Sequence, residues 1–431
     1  MKIVRSGTSE FQAALEAVCT RGLYRDEAVE SAVRSIIADV GSRGDRAVLE
    51  YTERFDGIRL DAEEMEIPAA ALGRALESLA PDLKGSLVTA SERIRAFHLH
   101  QRLDSWEYTD TEGVLLGQRI MPLERVGVYV PGGKAAYPSS VLMNALPAKI
   151  AGVGELVMVT PPAGALENAA VLAAASLCGI DRIFRIGGAQ AVAALAYGTE
   201  HVPKVDKIVG PGNVYVETAK RMVFGIVDID MTAGPSEILI VTDGTADPRF
   251  LAADLLAQAE HDERARPILV ATSRAYAEEV AAEVDRQLAS LPAPRTASLA
   301  IGSGGLAFLV DTLEEAVALS NAIAPEHLEL AVKDPLPLLE KVTHAGAVFL
   351  GASTPETIGD YLAGPNHVLP TGGSARWFSP LGVYDFIKRT NVVGMGLDAL
   401  KRLGPTAARI ARAEGLEAHA RAIDARIRDG E

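Results

Sequence analysis

Two short stretches of the chain carry residues that could remove protons or bind a metal. Gln258 and His261 lie three residues apart at the end of a predicted helix over 248–261, so both could project from one face. Glu326 and His327 are adjacent, and a carboxyl beside an imidazole offers two proton acceptors with different pKa values. The alternatives are a solvated helix end for the first pair and a surface pair for the second. The leucines that flank Glu326 and His327 favour partial burial.

A third stretch, residues 359–373, combines glycines and prolines with Asp360, Asn366 and His367. A loop this long and polar is usually either disordered or functional, and its apolar residues argue against disorder. We therefore expect it to belong to a functional site.

A fourth stretch holds Glu414 and His419 near the end of the chain. Taken alone, it is most simply an amphipathic helix that carries a histidine. Gln258, His261, Asp360 and His419 together would suit Zn²⁺ or another first-row divalent ion. Their spacing, however, does not require them to converge.

Composition excludes several classes of protein. The chain has 431 residues, 42 of them Lys or Arg and 57 Asp or Glu, which gives a net charge of −15 and no expectation of nucleic-acid binding. The two cysteines, Cys19 and Cys178, exclude a disulfide framework and a cysteine-rich zinc finger. The longest apolar stretch, residues 169–180, is too short to span a bilayer, and the first residues lack a signal-peptide pattern. We expect a cytoplasmic protein without a membrane partner.

The predicted elements change along the chain. Residues 1 to about 100 are predicted to be helical, for example over 31–40 and 70–79. Short β-branched runs then alternate with Ala/Leu-rich runs, which predicts βαβ units and two α/β lobes with mostly parallel sheets. Ser139 or Ser140 is a candidate cap for a helix that continues to residue 150. After about residue 385 we expect only a helical tail over 397–427, packed on its own chain or reaching over a partner.

Glycine-rich turns between strands and helices do not match the common nucleotide fingerprints. No G-x-G-x-x-G follows a strand, and residues 126–134 differ from a P-loop in spacing, with Ala135 in place of the Mg²⁺-binding hydroxyl. Residues 210–213 also follow a predicted strand. They form either a tight turn or a loop whose backbone approaches a ligand.

Several motifs in order resemble the histidinol dehydrogenase family over nearly the whole chain. They are YVPGG at 129–133, YPSSVLMN at 137–144, VGPGN at 209–213, AGPSE at 233–237, DLLAQAEHD at 254–262, APEHLE at 324–329, GDY at 359–361 with PTG at 370–372, and AEGLEAH at 413–419. Each motif is modest alone, but their order is specific. Trp377 and Gly382 stand where Phe and Ser are expected, which affects only local packing.

The resemblance implies two successive NAD-dependent oxidations of L-histidinol, through L-histidinaldehyde, to L-histidine, the last steps of histidine biosynthesis. It implies Glu326 and His327 as the proton acceptors. One Zn²⁺ per subunit would be held by Gln258, His261, Asp360 and His419. The substrate would contact Ser236, Gln258, His261, His327, Asp360, His367, Glu414 and His419, and NAD would contact Tyr129, Gln190 and Asn213.

The resemblance also implies an α/β fold with two incomplete Rossmann-like α/β/α lobes, helical N- and C-terminal extensions, and an intertwined homodimer with shared active sites. We expect an N-terminal helical extension (1–24), a first lobe with most metal and catalytic residues (25–128 plus 237–381), a second lobe that binds NAD (129–236), and a C-terminal tail (382–431). The tail would contribute His419 to the active site of the partner subunit.

Three other functions fit parts of the pattern. A zinc- and NAD-dependent dehydrogenase of another polar alcohol, such as a sulfonated diol, is disfavoured because Glu414 is expected to recognise a cation or an imidazole. A zinc hydrolase with Glu326 as its base is disfavoured by Tyr129 and the loop at 210–213. A catalytically inactive binding protein is disfavoured because the polar residues of every motif are present.

Overall fold

The structure is a computed structural model that describes residues 1–23, 26–132, 137–162 and 168–428. Three predicted features lie partly outside the described residues: residues 133–135 of the glycine-rich turn, residues 166 and 167 of a helix that the Ala/Leu-rich run predicts over 166–177, and the boundary at residue 24. The chain divides into two compact units, of which the first comprises residues 1–101 and 124–386 and the second residues 102–123 and those from 387 onward. None of the described helices is long and apolar enough to cross a membrane.

The strands of the described ranges are β1 (Lys2–Arg5), β2 (Trp106–Thr109), β3 (Val114–Pro122), β4 (Arg125–Tyr129), β5 (Glu155–Val159), β6 (Arg182–Phe184), β7 (Lys207–Val209), β8 (Asp228–Ile229), β9 (Glu237–Thr242), β10 (Arg266–Ala271), β11 (Leu306–Leu309), β12 (His327–Ala331), β13 (Ala347–Leu350) and β14 (Ile387–Met395).

The α-helices are α1 (Ser9–Cys19), α2 (Glu27–Arg43), α3 (Asp45–Asp56), α4 (Ala69–Ser78), α5 (Pro81–Leu99), α6 (Pro138–Ala151), α7 (Ala169–Cys178), α8 (Gly188–Tyr197), α9 (Val214–Val223), α10 (Pro248–Ala259), α11 (Arg274–Leu288), α12 (Arg295–Gly304), α13 (Leu313–Ile323), α14 (Leu336–Leu339), α15 (Glu356–Tyr361), α16 (Leu397–Ala413) and α17 (Glu417–Arg428). Short 3₁₀ turns cover Arg21–Leu23, Ala62–Glu64, Ser374–Arg376 and Val383–Phe386.

A six-stranded parallel sheet in the order β1-β11-β10-β9-β12-β13 forms one half of the first unit. Apart from the edge strand β1, the order is that of a doubly wound sheet. Successive residues of a strand point to opposite faces, so Leu269 packs toward α10, α11 and α12, whereas Ile268 and Val270 pack toward α1, α13 and α14. Burial of both faces explains the continuous apolar runs in these strands.

The other half of the first unit is a five-stranded parallel sheet in the order β6-β5-β4-β7-β8, again the doubly wound order. Helices α2 and α3 pack with α8 and α9 on one of its faces. The prediction grouped residues 25–128 with the first lobe. The apolar stripe of α2, which includes Val33, Ile36 and Val40, instead joins the core of this second sheet.

Two predictions for the start of elements were wrong. The first residues were expected to be helical, but Lys2–Arg5 pairs in parallel with β11, because Val4 fits the buried face of the sheet. The helix α6 begins at Pro138 after Tyr137 rather than at a serine cap, since proline is favoured in the first turn.

The second unit contains an antiparallel sheet, β14-β3-β2, and the helices α16 and α17, which pack on each other. The expectation that strands stop after residue 385 was wrong, because β14 pairs with all nine residues of β3. The predicted tail is two helices, separated at Gly415, whose φ of +78° is one that glycine adopts readily.

Phe308 tests how far the six-stranded sheet depends on its buried faces. Its ring is fully buried in β11 and meets the ring of Phe11 on α1 edge to face, with 5.1 Å between centroids. We expect Phe308→Ala to lower the free energy of unfolding by about 3–5 kcal/mol, because it leaves a cavity. The control Phe250→Ala removes a ring that is 51 % exposed and should change it by less than about 1 kcal/mol. Equal urea midpoints for the two variants would contradict this account.

Candidate active site

The candidate site begins at the amino ends of two neighbouring strands, β9 and β12. Helix α13 ends at Ile323, and Ala324 follows it. With a φ of +52°, Ala324 is the one residue other than glycine with a left-handed backbone in the described ranges. A non-glycine residue in this region is uncommon and strained. The turn leads directly into Glu326 and His327, and His327 is the first residue of β12.

Glu326 and His327 both contact the backbone of Glu237, the first residue of β9. The N–H of Glu237 donates to Glu326 Oε2 at 2.8 Å, and His327 Nδ1 lies 2.9 Å from the carbonyl oxygen of Glu237. A carbonyl only accepts hydrogen bonds, so Nδ1 carries the ring proton and Nε2 keeps its lone pair in the neutral tautomer. His327 Nε2 is buried and has no hydrogen-bond partner among the described residues.

Burial acts in opposite directions on these two groups because it disfavours the charged form of each. It raises the pKa of Glu326 well above its ordinary value and lowers the pKa of His327. At neutral pH, His327 is therefore an uncharged base, whereas Glu326 holds its proton more tightly than an exposed glutamate does.

Gln258 lies on α10, is almost fully buried, and its Oε1 also lacks a partner among the described residues. His261 was predicted to share that helix, but α10 ends at Ala259 and His261 is an exposed residue just beyond it. A charged His261 would help to lower the pKa of His327, so the two rings lie within electrostatic range.

Asp360 was predicted to lie in a loop but is on the short helix α15, which packs against α10. His327 Nε2 and Asp360 Oδ1 are 3.9 Å apart, and His367 Nδ1 donates to the Asp360 carbonyl at 2.8 Å. Ligand atoms of His327, Glu356 and Asp360 all lie within 4.8 Å of one another. The predicted residues His327, Asp360 and His367 are thus brought together.

Glu356 was missed from the sequence, although it precedes Asp360 by four residues. That spacing places two side chains on one face of a helix, and it would have been informative had the segment been predicted as helical. Glu356 is fully buried, and burial raises its pKa, as does the neighbouring Asp360 carboxylate. Burial likewise raises the pKa of Glu329 beside Asp254. A cluster of buried carboxyls, with nitrogen and oxygen atoms that have no hydrogen-bond partner among the described residues, fits a divalent cation.

The predicted nucleotide residues lie at the five-stranded sheet. Tyr129 ends β4, and its hydroxyl accepts a hydrogen bond of 3.0 Å from the N–H of Gly188. Burial raises the pKa of Tyr129 to about 12. Gln190 follows on α8, and its buried Oε1 has no partner within the described ranges. Asn213 Oδ1 caps α9 by accepting from two backbone N–H groups. These positions follow β4, β6 and β7, and the carboxyl ends of doubly wound strands are where such sheets bind ligands.

A buried ion network lies beneath the loop 210–213. Lys220 Nζ donates to the carbonyl of Gly210 at 2.9 Å and to Asp230 Oδ1 at 2.7 Å. The Glu217 carboxylate accepts from the N–H groups of Gly212 and Ala233 at 3.1 and 2.8 Å. Burial raises the pKa of Glu217 to about 7. The network ties the loop to the segment that leads into Ser236 and β9.

The remaining predicted residues are Ser236, Glu414 and His419. Ser236 is half-buried immediately before β9, and its carbonyl accepts from the N–H of Arg266 at 3.0 Å. Glu414 follows α16 and His419 lies on α17, both exposed and both in the second unit, whereas the other site residues belong to the first.

The fold and the site define an α/β enzyme with a buried pair of proton acceptors beside a set of nitrogen and oxygen ligands. The chain belongs to the histidinol dehydrogenase family, whose model matches residues 19–427. This confirms the resemblance in the sequence motifs, and the family is one of oxidoreductases.

Individual relatives match over the full length. The chain is 54% identical over 429 residues to the histidinol dehydrogenase of Syntrophotalea carbinolica, with 100% of each chain covered. It is 53% identical over 422 residues to that of Dechloromonas aromatica, with 97% of each covered. The crystal structure of histidinol dehydrogenase from Elizabethkingia anophelis matches with a TM-score of 0.93 at 35% identity, covering 100% of this chain and 98% of that one.

Lys220 provides a test of the buried network. Lys220→Met would leave Asp230 and Glu217 buried without their cation, so we expect it to lower the free energy of unfolding by about 3–5 kcal/mol. Lys341→Met, the control, removes an exposed ion pair with Glu314 and should cost about 0–1 kcal/mol. Urea denaturation measures both, and a Lys220 variant as stable as the control would show that the network carries no such free energy.

Proposed function

We propose that this chain is a cytoplasmic, zinc- and NAD-dependent enzyme that oxidises L-histidinol through L-histidinaldehyde to L-histidine. The observation that carries the proposal is the buried Glu326–His327 pair. His327 Nε2 lies 3.9 Å from Asp360 Oδ1 and has no hydrogen-bond partner in the part of the chain that the structure describes. Two different proton acceptors at one point suit a reaction with two different proton removals. The full-length similarity to a histidinol dehydrogenase supports L-histidinol as the substrate.

The first oxidation needs a base within reach of the substrate hydroxyl, because a hydride leaves the carbon only as the hydroxyl proton is removed. His327 Nε2 suits this task, since Nδ1–H is held by the Glu237 carbonyl and the lowered pKa keeps the ring neutral. NAD⁺, if bound, would supply the hydride acceptor, and Zn²⁺, if held by the ligand set described below, would supply a Lewis acid that helps to hold the substrate.

The second oxidation needs a water molecule to add to the aldehyde. Glu326 lies beside His327 and accepts one hydrogen bond through Oε2, so its carboxylate is the better candidate to activate that water. Because burial raises its pKa, Glu326 becomes a base only as the pH rises. The rate of aldehyde oxidation should therefore still increase with pH above the range in which an exposed glutamate titrates.

The ligand set for Zn²⁺ would be Gln258, His261 and Asp360 together with His419 of the partner subunit. Oxygen and nitrogen ligands of this kind suit zinc. The buried Oε1 of Gln258, which no described residue contacts through a hydrogen bond, supports its place among them. In a homodimer with shared sites, Ser236, His367 and the partner's Glu414 would contact the substrate. Tyr129, Gln190 and Asn213 would contact NAD.

Separate assays of the two oxidations test the assignment of the bases. Glu326→Gln should slow the oxidation of L-histidinaldehyde by about 100- to 10⁴-fold and alcohol oxidation much less, because it removes only the base for the water. His327→Asn should slow alcohol oxidation by a similar factor. The control Glu340→Gln changes an exposed glutamate and should leave both rates unchanged. If Glu326→Gln slowed the two steps equally, the assignment would be wrong.

Removal of the metal tests the ligand set. Treatment with a chelator should abolish NADH formation from L-histidinol, and added Zn²⁺ should restore it. Asp360→Asn should lower the zinc content per chain, measured by elemental analysis of the purified protein, because it removes a charged ligand. Full activity of the zinc-free protein would refute zinc dependence. An unchanged zinc content in the Asp360 variant would refute its place among the ligands.

A further inference from the structure

Glu237 touches both proposed bases through its backbone, and its own side chain is held by a buried ion pair. The guanidinium of Arg21 binds the Glu237 carboxylate with two N–H groups, Nε to Oε1 and Nη2 to Oε2, the latter at 2.6 Å. The two side chains are only 3 % and 4 % exposed. Glu237 Oε1 also accepts from the N–H of Gly372 at 3.1 Å, so the carboxylate receives three hydrogen bonds.

Arg21 is itself fixed by the ends of two helices. Nη1 donates to the carbonyl of Val18 in α1 at 2.7 Å, and Nη2 donates to the carbonyl of Ile323 at the end of α13 at 3.1 Å. Residue 323 directly precedes the strained turn at Ala324 that leads to Glu326. Arg21 therefore links the end of α13, which lies just before Glu326 in the chain, to Glu237, whose backbone both proposed bases contact.

A buried ion pair is not in itself a good explanation of stability. The cost of removing two charges from water often exceeds their attraction, and well-packed apolar residues can replace such a pair without loss. A bidentate arginine–carboxylate pair does, however, give geometric specificity. In this protein the pair fixes Glu237, whose N–H donates to Glu326 and whose carbonyl accepts from His327.

We propose that Arg21 and Glu237 are positioning residues for both proton-transfer steps: their ion pair fixes the peptide groups that orient the Glu326 carboxyl and select the His327 tautomer. The inference rests on the proposed function for its kinetic consequences. Neither side chain needs to touch the substrate, the nucleotide or the metal.

Steady-state kinetics of Glu237→Gln provide the first test. This variant keeps the shape of the side chain but weakens charge-assisted hydrogen bonds, so we expect kcat to fall about 10- to 100-fold for both oxidations. The KM for L-histidinol and the zinc content should change less than about twofold, because the substrate and metal contacts are elsewhere. A purely structural role would lower thermal stability but leave kcat per folded, zinc-loaded site unchanged, and that result would overturn the proposal.

A double-mutant cycle makes the test specific. Residues that act through one another are non-additive. Glu237→Gln should therefore slow aldehyde oxidation much less when Glu326→Gln is already present, and alcohol oxidation much less when His327→Asn is present. Full additivity in both cycles would contradict positioning through the bases.

The double variant Arg21→Met/Glu237→Met tests the proposal even if a single substitution prevents folding. It removes both charges together and leaves neither one buried alone. It should fold but remain slow in both steps. Parental kcat values in this variant would overturn the proposal.

A spectroscopic measurement separates this inference from the proposed function. In histidine-labelled protein, ¹⁵N shifts of the His327 ring, assigned by comparison with His327→Asn, should show a protonated Nδ1 and an unprotonated Nε2. The Arg21→Met/Glu237→Met variant should show a mixture of tautomers. If the parent did not oxidise L-histidinol, the proposed function would fail, and the ¹⁵N shifts would still test the positioning. An unchanged tautomer in the double variant would contradict it.

Discussion

The site depends on buried polar atoms that have no hydrogen-bond partner among the described residues. Gln258 Oε1 and His327 Nε2 are both buried and, among the described residues, accept no hydrogen bond. Each such atom costs roughly 1–3 kcal/mol, so a folded chain retains it only where other interactions offset the cost. The six-stranded sheet, with apolar clusters on both faces, provides that offset and holds the strands whose first residues form the site.

The site residues of the six-stranded sheet gather at its amino edge, whereas the predicted nucleotide residues follow the carboxyl ends of the five-stranded sheet. Ligands of doubly wound sheets usually bind at carboxyl ends. Connectivity accounts for the position of Gln258 and His261, because a crossover helix runs back along the strand that precedes it. The end of α10 therefore brings Gln258 and His261 to the edge at which β10 begins, beside the first residues of β9 and β12.

The α/β class and the parallel sheets could be predicted from the alternation of apolar runs, because that pattern depends on burial close by in the sequence. Strand β14 could not, since its residues are mostly exposed and only the pairing with β3, more than 260 residues away, makes them a strand. Among the site residues, Glu326 and His327 could be predicted from the sequence, because they are adjacent and are two different proton acceptors. Glu237 was visible only as part of a motif, because its contacts with them arise through the backbone.

The geometry of a β-strand explains why the site needs the short turn before β12. Adjacent residues in a regular strand point to opposite faces, so Glu326 and His327 could not both reach one site if the strand began earlier. The left-handed Ala324 and the proline after it delay the strand until His327. Glu326 therefore lies outside the regular alternation, and its carboxyl and the imidazole of His327 reach the N–H and the carbonyl of the same residue. Backbone strain at one alanine is thus the condition for two adjacent residues to serve one site.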